Sequence, residues 1–315
     1  MMDVLKTPSI KTSRTKHKQI KMYRMNKELI IRSGSDAVDF ALLKDGKLIE
    51  LHKEEETSNF QVGDIFIAKI RKPVAGLNAA FVNVGYEKDA FLHYHDLGPN
   101  LASQLKFIKL VSAGKIKDFS LKNFQFEKEI DKDGSITEII NSNQSILVQV
   151  VKEPISTKGP RISAELSLAG RYIVLVPFSD RVSISQKIEN KKEKERLKRL
   201  VQSVKPKGFG VIVRTVAEGK STVELEKDLQ NLIERWTAMC KKLPTAHHPS
   251  KVLGELNRAS SILRDVFNDT FSSIQIDDEE LYNQTKDYLQ EIAPSKTSIV
   301  KFYQSKDTPI FEKYN

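Results

Sequence analysis

Three short apolar segments follow one another closely between residues 62 and 93, and they limit what this part of the chain can form. They occupy residues 65–70, 79–84 and 90–93, with glycine before the first segment and after the second. Runs of four to six residues rich in Ile, Val, Ala and Phe are typical of β-strands and are too short for stable helices. We therefore predict a small antiparallel barrel of five strands that begins near residues 61–97.

Two phenylalanines fall on neighbouring strands of this predicted barrel. Phe81 lies in the second segment and Phe91 in the third. An exposed aromatic ring on such a barrel stacks on any base of a single-stranded nucleic acid, which is worth about 1–3 kcal/mol per base. The alternative is that both rings belong to the core, which is the commoner position for a single Phe in a strand. The pattern as a whole favours the binding of single-stranded nucleic acid.

Composition narrows the class of protein and its compartment. The chain has 315 residues and is 39% hydrophobic, so a packed core is expected, and no apolar run approaches the length of a membrane span. Its start lacks the apolar segment of a secretory signal. A single cysteine, Cys240, excludes an internal disulfide framework and a multi-cysteine zinc site. These features predict a cytoplasmic protein without membrane insertion.

The formal charge of +10 is concentrated at the start of the chain. Residues 1–24 hold seven Lys or Arg and one acidic residue, Asp3. Because this stretch also has few apolar residues, we expect residues 1–26 to form a disordered basic tail, with a basic arm that touches RNA as the alternative. The remainder is only mildly basic, so charge alone is weak evidence for a nucleic-acid partner.

Further strands and helices are predicted along the chain. Asp45 and Gly46 separate two apolar runs and predict a hairpin, because both central residues of a type I′ turn need positive φ. Ser221 and Glu224 predict a capping box at the start of a helix. The polar stretch 98–145 predicts a solvated loop, with a lengthened RNA channel as the alternative. The remaining predicted strands are 146–151, 172–177, 210–214, 273–277 and 298–303, and the helices are 190–204, 221–236, 251–267 and one starting near Asp278.

The barrel sequence resembles the S1 RNA-binding domain, an OB-fold barrel. The residues that carry this resemblance are Gly-Asp at 63–64, Ala-Phe-Val-Asn-Val-Gly at 80–85 and Ala-Phe-Leu-His at 90–93. Three further stretches follow in the order found in the N-terminal region of the bacterial ribonuclease E/G family. They are Val-Gln-Val-Val-Lys-Glu at 148–153, Leu-Ser-Leu-Ala-Gly-Arg-Tyr at 166–172 and Gly-Val-Ile-Val-Arg-Thr at 210–215. The resemblance extends from about residue 25 to the end of the chain.

This resemblance implies an α+β multidomain fold. An S1/OB-fold β-barrel and a 5′-sensor domain are expected to be inserted in a split RNase H-like α/β domain. The implied divisions are 1–26 as the tail, 27–59 as the first RNase H-like segment, 60–159 as the S1 domain with a long insertion at 98–145, 160–245 as the 5′-sensor domain and 246–315 as the second RNase H-like segment.

The resemblance also implies a function and a set of site residues. Members of the family cut single-stranded RNA, including rRNA precursors and mRNA, and prefer a 5′-monophosphate end. The S1 contacts to RNA are implied at Phe81, Phe91, Lys152 and Lys158, and the 5′-phosphate sensor at Gly170, Val174, Arg214 and Thr215. The chain departs from the family at 185–187, where Ser-Gln-Lys replaces an Arg of the sensor, so Lys187 is expected to supply that charge or the charge is missing.

No catalytic or metal-binding residue is carried over from the family. Its two catalytic aspartates and an asparagine surround a Mg²⁺ ion in a domain downstream of residue 315, and no matching stretch occurs in this sequence. We therefore expect no cofactor within this chain and Mg²⁺ only in a full-length enzyme, for which homo-oligomerisation stays open. The adjacent Asp277 and Asp278 suggest a metal site, but such a pair at a strand end is more often a helix N-cap.

Three hypotheses about function remain open at this point. The first is the RNA-binding portion of a ribonuclease E/G family enzyme, cut short before its catalytic domain. The second is a non-catalytic S1-type RNA-binding or ribosome-associated protein. The third, a metal-dependent nuclease in the RNase H-like region, requires several carboxylates that converge on one cation, and the sequence offers no convincing set.

Overall fold

A computed structural model describes residues 26–34, 37–55, 60–304 and 308–314. The expected disordered tail, apart from residue 26, lies outside the described residues. The strands are β1 (Lys27–Ser33), β2 (Ala37–Lys44), β3 (Lys47–Glu55), β4 (Ile65–Val74), β5 (Ala79–Asn83), β6 (Ala90–His93), β7 (Ser145–Lys152), β8 (Arg161–Ser163), β9 (Leu168–Ala169), β10 (Ile173–Pro177), β11 (Val182–Ile184), β12 (Phe209–Val213), β13 (Ser250–Leu253), β14 (Phe271–Ile276) and β15 (Val300–Phe302). The helices are α1 (Leu101–Ser112), α2 (Ile136–Ile139), α3 (Lys191–Val204), α4 (Thr222–Lys242), α5 (Arg258–Val266) and α6 (Glu279–Ile292).

A five-stranded sheet combines strands from both ends of the described chain. Its order is β15-β14-β1-β2-β3, with β1 parallel to β14 and antiparallel to β2. Asp45 and Gly46 join β2 to β3 with φ of 50° and 76°, so the predicted hairpin is confirmed. Helices α5 and α6 contribute Leu263 and Leu289 to the core on this sheet.

The second sheet closes into a barrel. Strands follow the order β4-β5-β6-β8-β7, and β4 also pairs with β7, which completes the ring. Alternate residues such as Phe66, Ala68 and Ile70 point into the barrel core, as the two-residue period of a strand requires. The predicted mixed α and β fold with a closed five-stranded barrel is therefore confirmed.

The third sheet has the order β11-β12-β10-β9 and packs against α3 and α4. Both helices start at a capping residue, and the cap of α4 is the predicted one. The Asn190 side chain accepts hydrogen bonds from the amides of Lys192 and Glu193, and Ser221 and Glu224 form the reciprocal capping box. The apolar core of this sheet extends onto the outer surface of the barrel. Ile65 and Ile67 of β4 belong to the same apolar cluster as the buried residues of the third sheet.

The insertion 98–145 is not the solvated loop that the sequence predicts. Residues 101–112 form α1, and its Phe107, Ile108 and Val111 are buried. The Phe107 ring lies 5.7 Å from Trp236 and 5.3 Å from Phe178 between ring centroids. The apolar positions of α1 follow a helical period, but the intervening lysines and polar residues obscure it in the sequence.

The prediction of one helix over 251–267 is wrong in its first half. Residues 250–253 form β13, which pairs with β4 beside the barrel. The helix α5 begins only after Asn257, whose side chain accepts a hydrogen bond from the amide of Ser260 at 2.9 Å. Gly254 separates the two elements, and the extended Lys-Val-Leu run before it finds a partner strand that is distant in sequence.

Truncation of Phe107 tests whether the insertion belongs to the core. Because its ring is fully buried among aromatic side chains, Phe107→Ala should lower the free energy of unfolding by about 3–5 kcal/mol. Urea denaturation followed by tryptophan fluorescence measures the change. Lys109→Ala on the exposed side of the same helix is the control and should stay within about 0.5 kcal/mol of the parent. Equal stability of the two variants would contradict the packing.

Candidate nucleic-acid interface

One row of side chains crosses the outer surface of the barrel. Register pairs residue 152 of β7 with 161 of β8, 161 with 91 of β6, 91 with 81 of β5 and 81 with 72 of β4. The row therefore reads Lys152, Arg161, Phe91, Phe81 and Lys72. We call these five residues the barrel row. The chain neighbours of Phe81 and Phe91 are buried (Ala80, Val82, Ala90 and Leu92), so these two rings face outward. The other three residues of the barrel row are exposed.

The two aromatic rings of the barrel row are half-buried and in contact. Phe81 and Phe91 lie with ring centroids 6.1 Å apart and planes inclined by 68°. Neither residue is among the fully buried side chains of the barrel core. The rings of His93 and His95 continue from Phe91, at centroid distances of 6.4 Å and then 5.0 Å. Sequence reasoning missed both histidines, although their two-residue spacing after Phe91 is visible in the sequence.

The cations around the two rings differ in their exposure and in whether they form an ion pair. Lys72 and Lys152 are exposed. The Arg161 guanidinium forms a two-pronged ion pair with Asp96, with an Nη2 to Oδ2 distance of 2.8 Å. Lys158 is also exposed, but it lies in the turn between β7 and β8 and not in the barrel row. Cations beside partly exposed aromatic rings suit a nucleic-acid strand, whose phosphates alternate with its bases.

Arg214 follows β12 directly, and its guanidinium is held on two sides. Nη1 donates to the carbonyl oxygen of Gly170 at 2.8 Å, and Nη2 pairs with Oδ1 of Asp265 at 2.7 Å. The structure thus brings together two predicted sensor residues, Arg214 and Gly170, and adds a carboxylate from α5. Sequence reasoning missed Asp265, because it lies 51 residues away and no local pattern marks it.

Thr215 is the next residue, and its side chain contacts Ser185, which directly follows β11. Its Oγ1 lies 2.9 Å from the Ser185 hydroxyl, so the hydroxyls share a hydrogen bond beside Arg214. Lys187 is exposed. Lys194 of α3 donates to the carbonyl of Gln186 at 3.4 Å, which places a second ammonium beside the 185–187 segment. A patch with hydroxyl donors and lysines suits a phosphate ligand.

Position 170 requires glycine, because a carboxylate from α4 occupies the space where a Cβ atom would lie. A Cβ atom at residue 170 would lie 2.7 Å from an oxygen of Asp228. That carboxylate accepts the backbone N–H groups of Arg171, Tyr172 and Ile173 at 2.8–3.0 Å. Burial raises the pKa of the Asp228 carboxyl above its ordinary range, while the three amides and Arg214 favour the ionised form. The Asp228 carboxylate therefore holds the loop before β10 by accepting hydrogen bonds from its backbone.

Val174 lies on the outward face of β10, opposite Ile212 of β12. Ile212 is 42% exposed, and its neighbours Val211 and Val213 are buried. Ile212 and Arg214 share the outward side of the strand because they are two residues apart. Val174, Ile212 and Arg214 therefore lie on the same side of this sheet. Sequence reasoning missed Ile212, although the alternation along 210–214 indicates its direction.

Asp277 and Asp278 each accept a hydrogen bond from a backbone amide. Asp277 Oδ1 accepts the Ser33 amide at 2.7 Å, and Asp278 caps α6 by accepting the Leu281 amide at 2.8 Å. Burial raises the pKa of Asp277. Within residues 26–34, 37–55, 60–304 and 308–314, no group of three or more His, Cys, Asp or Glu side chains is arranged to hold a metal ion. No helix in those ranges is long and apolar enough to cross a bilayer.

Comparison with known proteins connects these features to one family. Residues 167–315 match the model of the ribonuclease E/G family. The chain is 31% identical over 291 residues to ribonuclease G of Escherichia coli strain K12, covering 92% of this chain and 55% of that protein. It is 32% identical over 287 residues to ribonuclease G of Haemophilus influenzae, covering 91% and 54%. To ribonuclease E of Nostoc sp. it is 32% identical over 242 residues, covering 76% and 31%.

The chain therefore belongs to the ribonuclease E/G family. It spans about half the length of the ribonuclease G relatives that it matches. The matched region includes Gly170, Val174, Arg214 and Thr215, and the longer alignments include most of the chain.

Replacement of Asp228 tests the loop that presents Gly170 to Arg214. An amide at this position directs an NH₂ group at one of the three backbone N–H donors, so Asp228→Asn should lower the free energy of unfolding by about 1–3 kcal/mol. Chemical denaturation measures the difference. Glu226→Gln, an exposed change on the same helix, should be neutral. A neutral Asp228→Asn variant would show that the carboxylate does not hold the loop.

Proposed function

We propose that this chain is the RNA-binding portion of an endoribonuclease of the ribonuclease E/G family. The proposed substrate of that enzyme is single-stranded RNA, such as rRNA precursors and mRNA, with a preference for 5′-monophosphate ends. The observation that carries the proposal is the barrel row, in which two adjoining rings lie between exposed lysines. The proposed setting is the cytoplasm, and the proposed partner is RNA.

In this proposal the barrel binds RNA independently of the base sequence of the RNA. We assign residues 60–159 as an S1-type OB-fold domain, with Phe81 and Phe91 as base-stacking rings and Lys152 and Lys158 as phosphate contacts. Stacking on rings tolerates any base, because every base has a π-face. The lysines add attraction to the backbone that weakens as salt concentration rises.

The surface around Arg214 supplies recognition of the RNA end. We assign residues 160–245 as the 5′-sensor domain, in which Arg214 and Thr215 bind the terminal phosphate and Gly170 and Val174 form the floor under the first base. An Arg guanidinium binds phosphate through paired N–H donors, and a Thr hydroxyl adds a third. Residues 27–59 and 246–315 are proposed as the two segments of an RNase H-like domain that supports both surfaces.

Cleavage itself is assigned to the full-length enzyme and its Mg²⁺ ion. The ribonuclease G relatives are about twice the length of the aligned region, and no carboxylate cluster suited to a metal occurs among the described residues of this chain. Incubation of the purified chain with single-stranded RNA and Mg²⁺ should therefore give binding without specific cuts. Reproducible endonucleolytic cleavage would contradict the assignment of binding to this chain and of cleavage to the full-length enzyme. Binding alone, with no preference for a 5′-monophosphate, would instead favour a general S1-type RNA-binding protein.

The two rings of the barrel row should contribute to RNA affinity whether the 5′ end carries a phosphate or a hydroxyl group. Phe81→Ala with Phe91→Ala should weaken binding of a 5′-hydroxyl oligonucleotide by about tenfold or more, because stacking is worth about 1–3 kcal/mol per base. Fluorescence anisotropy measures the dissociation constant. Phe302→Ala, which removes a partly exposed ring from a different sheet, is the matched control and should bind normally. Unchanged binding in the double variant would remove the barrel row from the interface.

Arg214 should determine discrimination between RNA ends. The intact chain should bind 5′-monophosphate RNA about tenfold or more tightly than 5′-hydroxyl RNA, because hydrogen bonds between charged groups are worth about 1.5–3 kcal/mol. Arg214→Ala should abolish that difference. Arg199→Ala removes the same charge from the exposed side of α3 and should leave the difference intact. Equal affinity of the unmodified chain for both ends would contradict the 5′-sensor assignment.

A further inference from the structure

The Arg214 guanidinium is not a free positive charge in the RNA-free protein. It pairs with Asp265 at 2.7 Å, and its side chain is only 23% exposed. Its other terminal nitrogen donates to the carbonyl of Gly170. A phosphate that approaches Arg214 therefore meets a cation that is already ion-paired with a carboxylate. The pair lies close to the surface, since Asp265 is 42% exposed.

Asp265 has a second cation beside it. Nε of Arg264 lies 3.1 Å from the same Oδ1 atom that pairs with Arg214. Arg264 is itself buried, with 9% of its side chain exposed, and its Nη1 pairs with Glu255 at 2.7 Å. If Asp265 leaves Arg214, it still has a partner, because the Arg264 guanidinium is fixed in place by Glu255 and by Ser261.

We infer that Asp265 is the internal counterion of the proposed 5′-phosphate site and that it excludes singly charged phosphates. This inference rests on the proposed reading of the RNA end by Arg214. The terminal phosphate displaces Asp265 from Arg214, and Asp265 remains paired with Arg264. No covalent bond changes in this exchange.

The charge of the ligand decides whether the exchange is favourable. A phosphodiester inside the RNA carries one negative charge, the same as the carboxylate that it would have to displace. A terminal monophosphate carries between about 1.5 and 2 negative charges at neutral pH and has three acceptor oxygens. Only the terminal group offers Arg214 more than Asp265 already does. The carboxylate therefore gives a reason why Arg214 selects an RNA end over the many phosphodiesters along the strand.

Asp265→Asn tests this inference because it keeps the shape and removes the charge. We expect 5′-hydroxyl RNA to bind about threefold or more tightly to the variant, since its internal phosphodiesters now reach Arg214. We expect 5′-monophosphate RNA to gain less, so the ratio of the two affinities falls. Anisotropy with two oligonucleotides of identical sequence, differing only at the 5′ end, measures both constants. Melting temperature confirms that the fold is kept, as Arg264 retains Glu255.

Two further variants separate the possible causes of a change. Asp269→Asn removes the same charge from an exposed site shortly after α5 and should leave both affinities unchanged. In the double variant Arg214→Ala with Asp265→Asn, the gain for 5′-hydroxyl RNA should disappear, because the gain operates through Arg214. A gain that persists there is a general charge effect and overturns the inference.

The other outcomes also decide the question. If Asp265→Asn weakens 5′-monophosphate binding and leaves 5′-hydroxyl binding unchanged, Asp265 only orients Arg214 and the inference is wrong. An unchanged or increased ratio of affinities overturns it as well. If the parent protein binds both ends equally, the proposed 5′ sensor fails first, and the inference fails with it. A parent that discriminates while Asp265→Asn leaves its ratio unchanged rejects the inference and retains the sensor.

Discussion

The buried ion pair between Arg264 and Glu255 connects the sheets of this molecule. Its side chains are about one-tenth exposed, and each residue also contacts a different sheet. Arg264 donates to the carbonyl of Ala169 in β9, while the backbone amide of Glu255 donates to Asp64 just before the first barrel strand. Loss of one partner of such a pair leaves an uncompensated buried charge, at a cost of about 3–5 kcal/mol. The ion pair therefore links α5, which packs on the five-stranded sheet, to the other two sheets, and the next residue of α5, Asp265, pairs with Arg214.

Two surfaces with different electrostatics follow from this arrangement. On the barrel, Lys72 and Lys152 are exposed beside aromatic rings, so attraction to a polyanion is available without any rearrangement. Around Arg214 the positive charge is matched by a neighbouring carboxylate before any ligand arrives. Contacts to the phosphate backbone provide affinity and position but carry little information. Reading an RNA end requires a site that ordinary backbone phosphates do not occupy, and under the proposed 5′-sensor assignment the ion pair of Arg214 with Asp265 would keep such phosphates out.

The sequence predicted those features whose cause lies within a few residues. The Asp45-Gly46 turn and the capping box at Ser221 are local chemistry, and both are present. Strand alternation likewise located the barrel. The errors arose where distant partners decide the conformation: α1 is stabilised by aromatic residues from other elements, and β13 exists because β4 has an open side. The same limit applies to the candidate site. Arg214 was found from its motif, whereas Asp265 and Asp228 act across the fold and have no signal in their own neighbourhood.

The parallel pairing of β1 with β14 has a consequence for how the protein is made. On a ribosome, β1 emerges before all of the barrel and its neighbouring sheet, while its partner lies more than two hundred residues later. The β1–β2–β3 segment must therefore wait, with one edge unpaired, until residues 271–276 have left the exit tunnel. The barrel, by contrast, closes through shorter separations and has its strands available earlier. Long-range pairing of this kind slows folding and exposes a strand edge to other chains. Successful synthesis depends on keeping that early edge from pairing elsewhere.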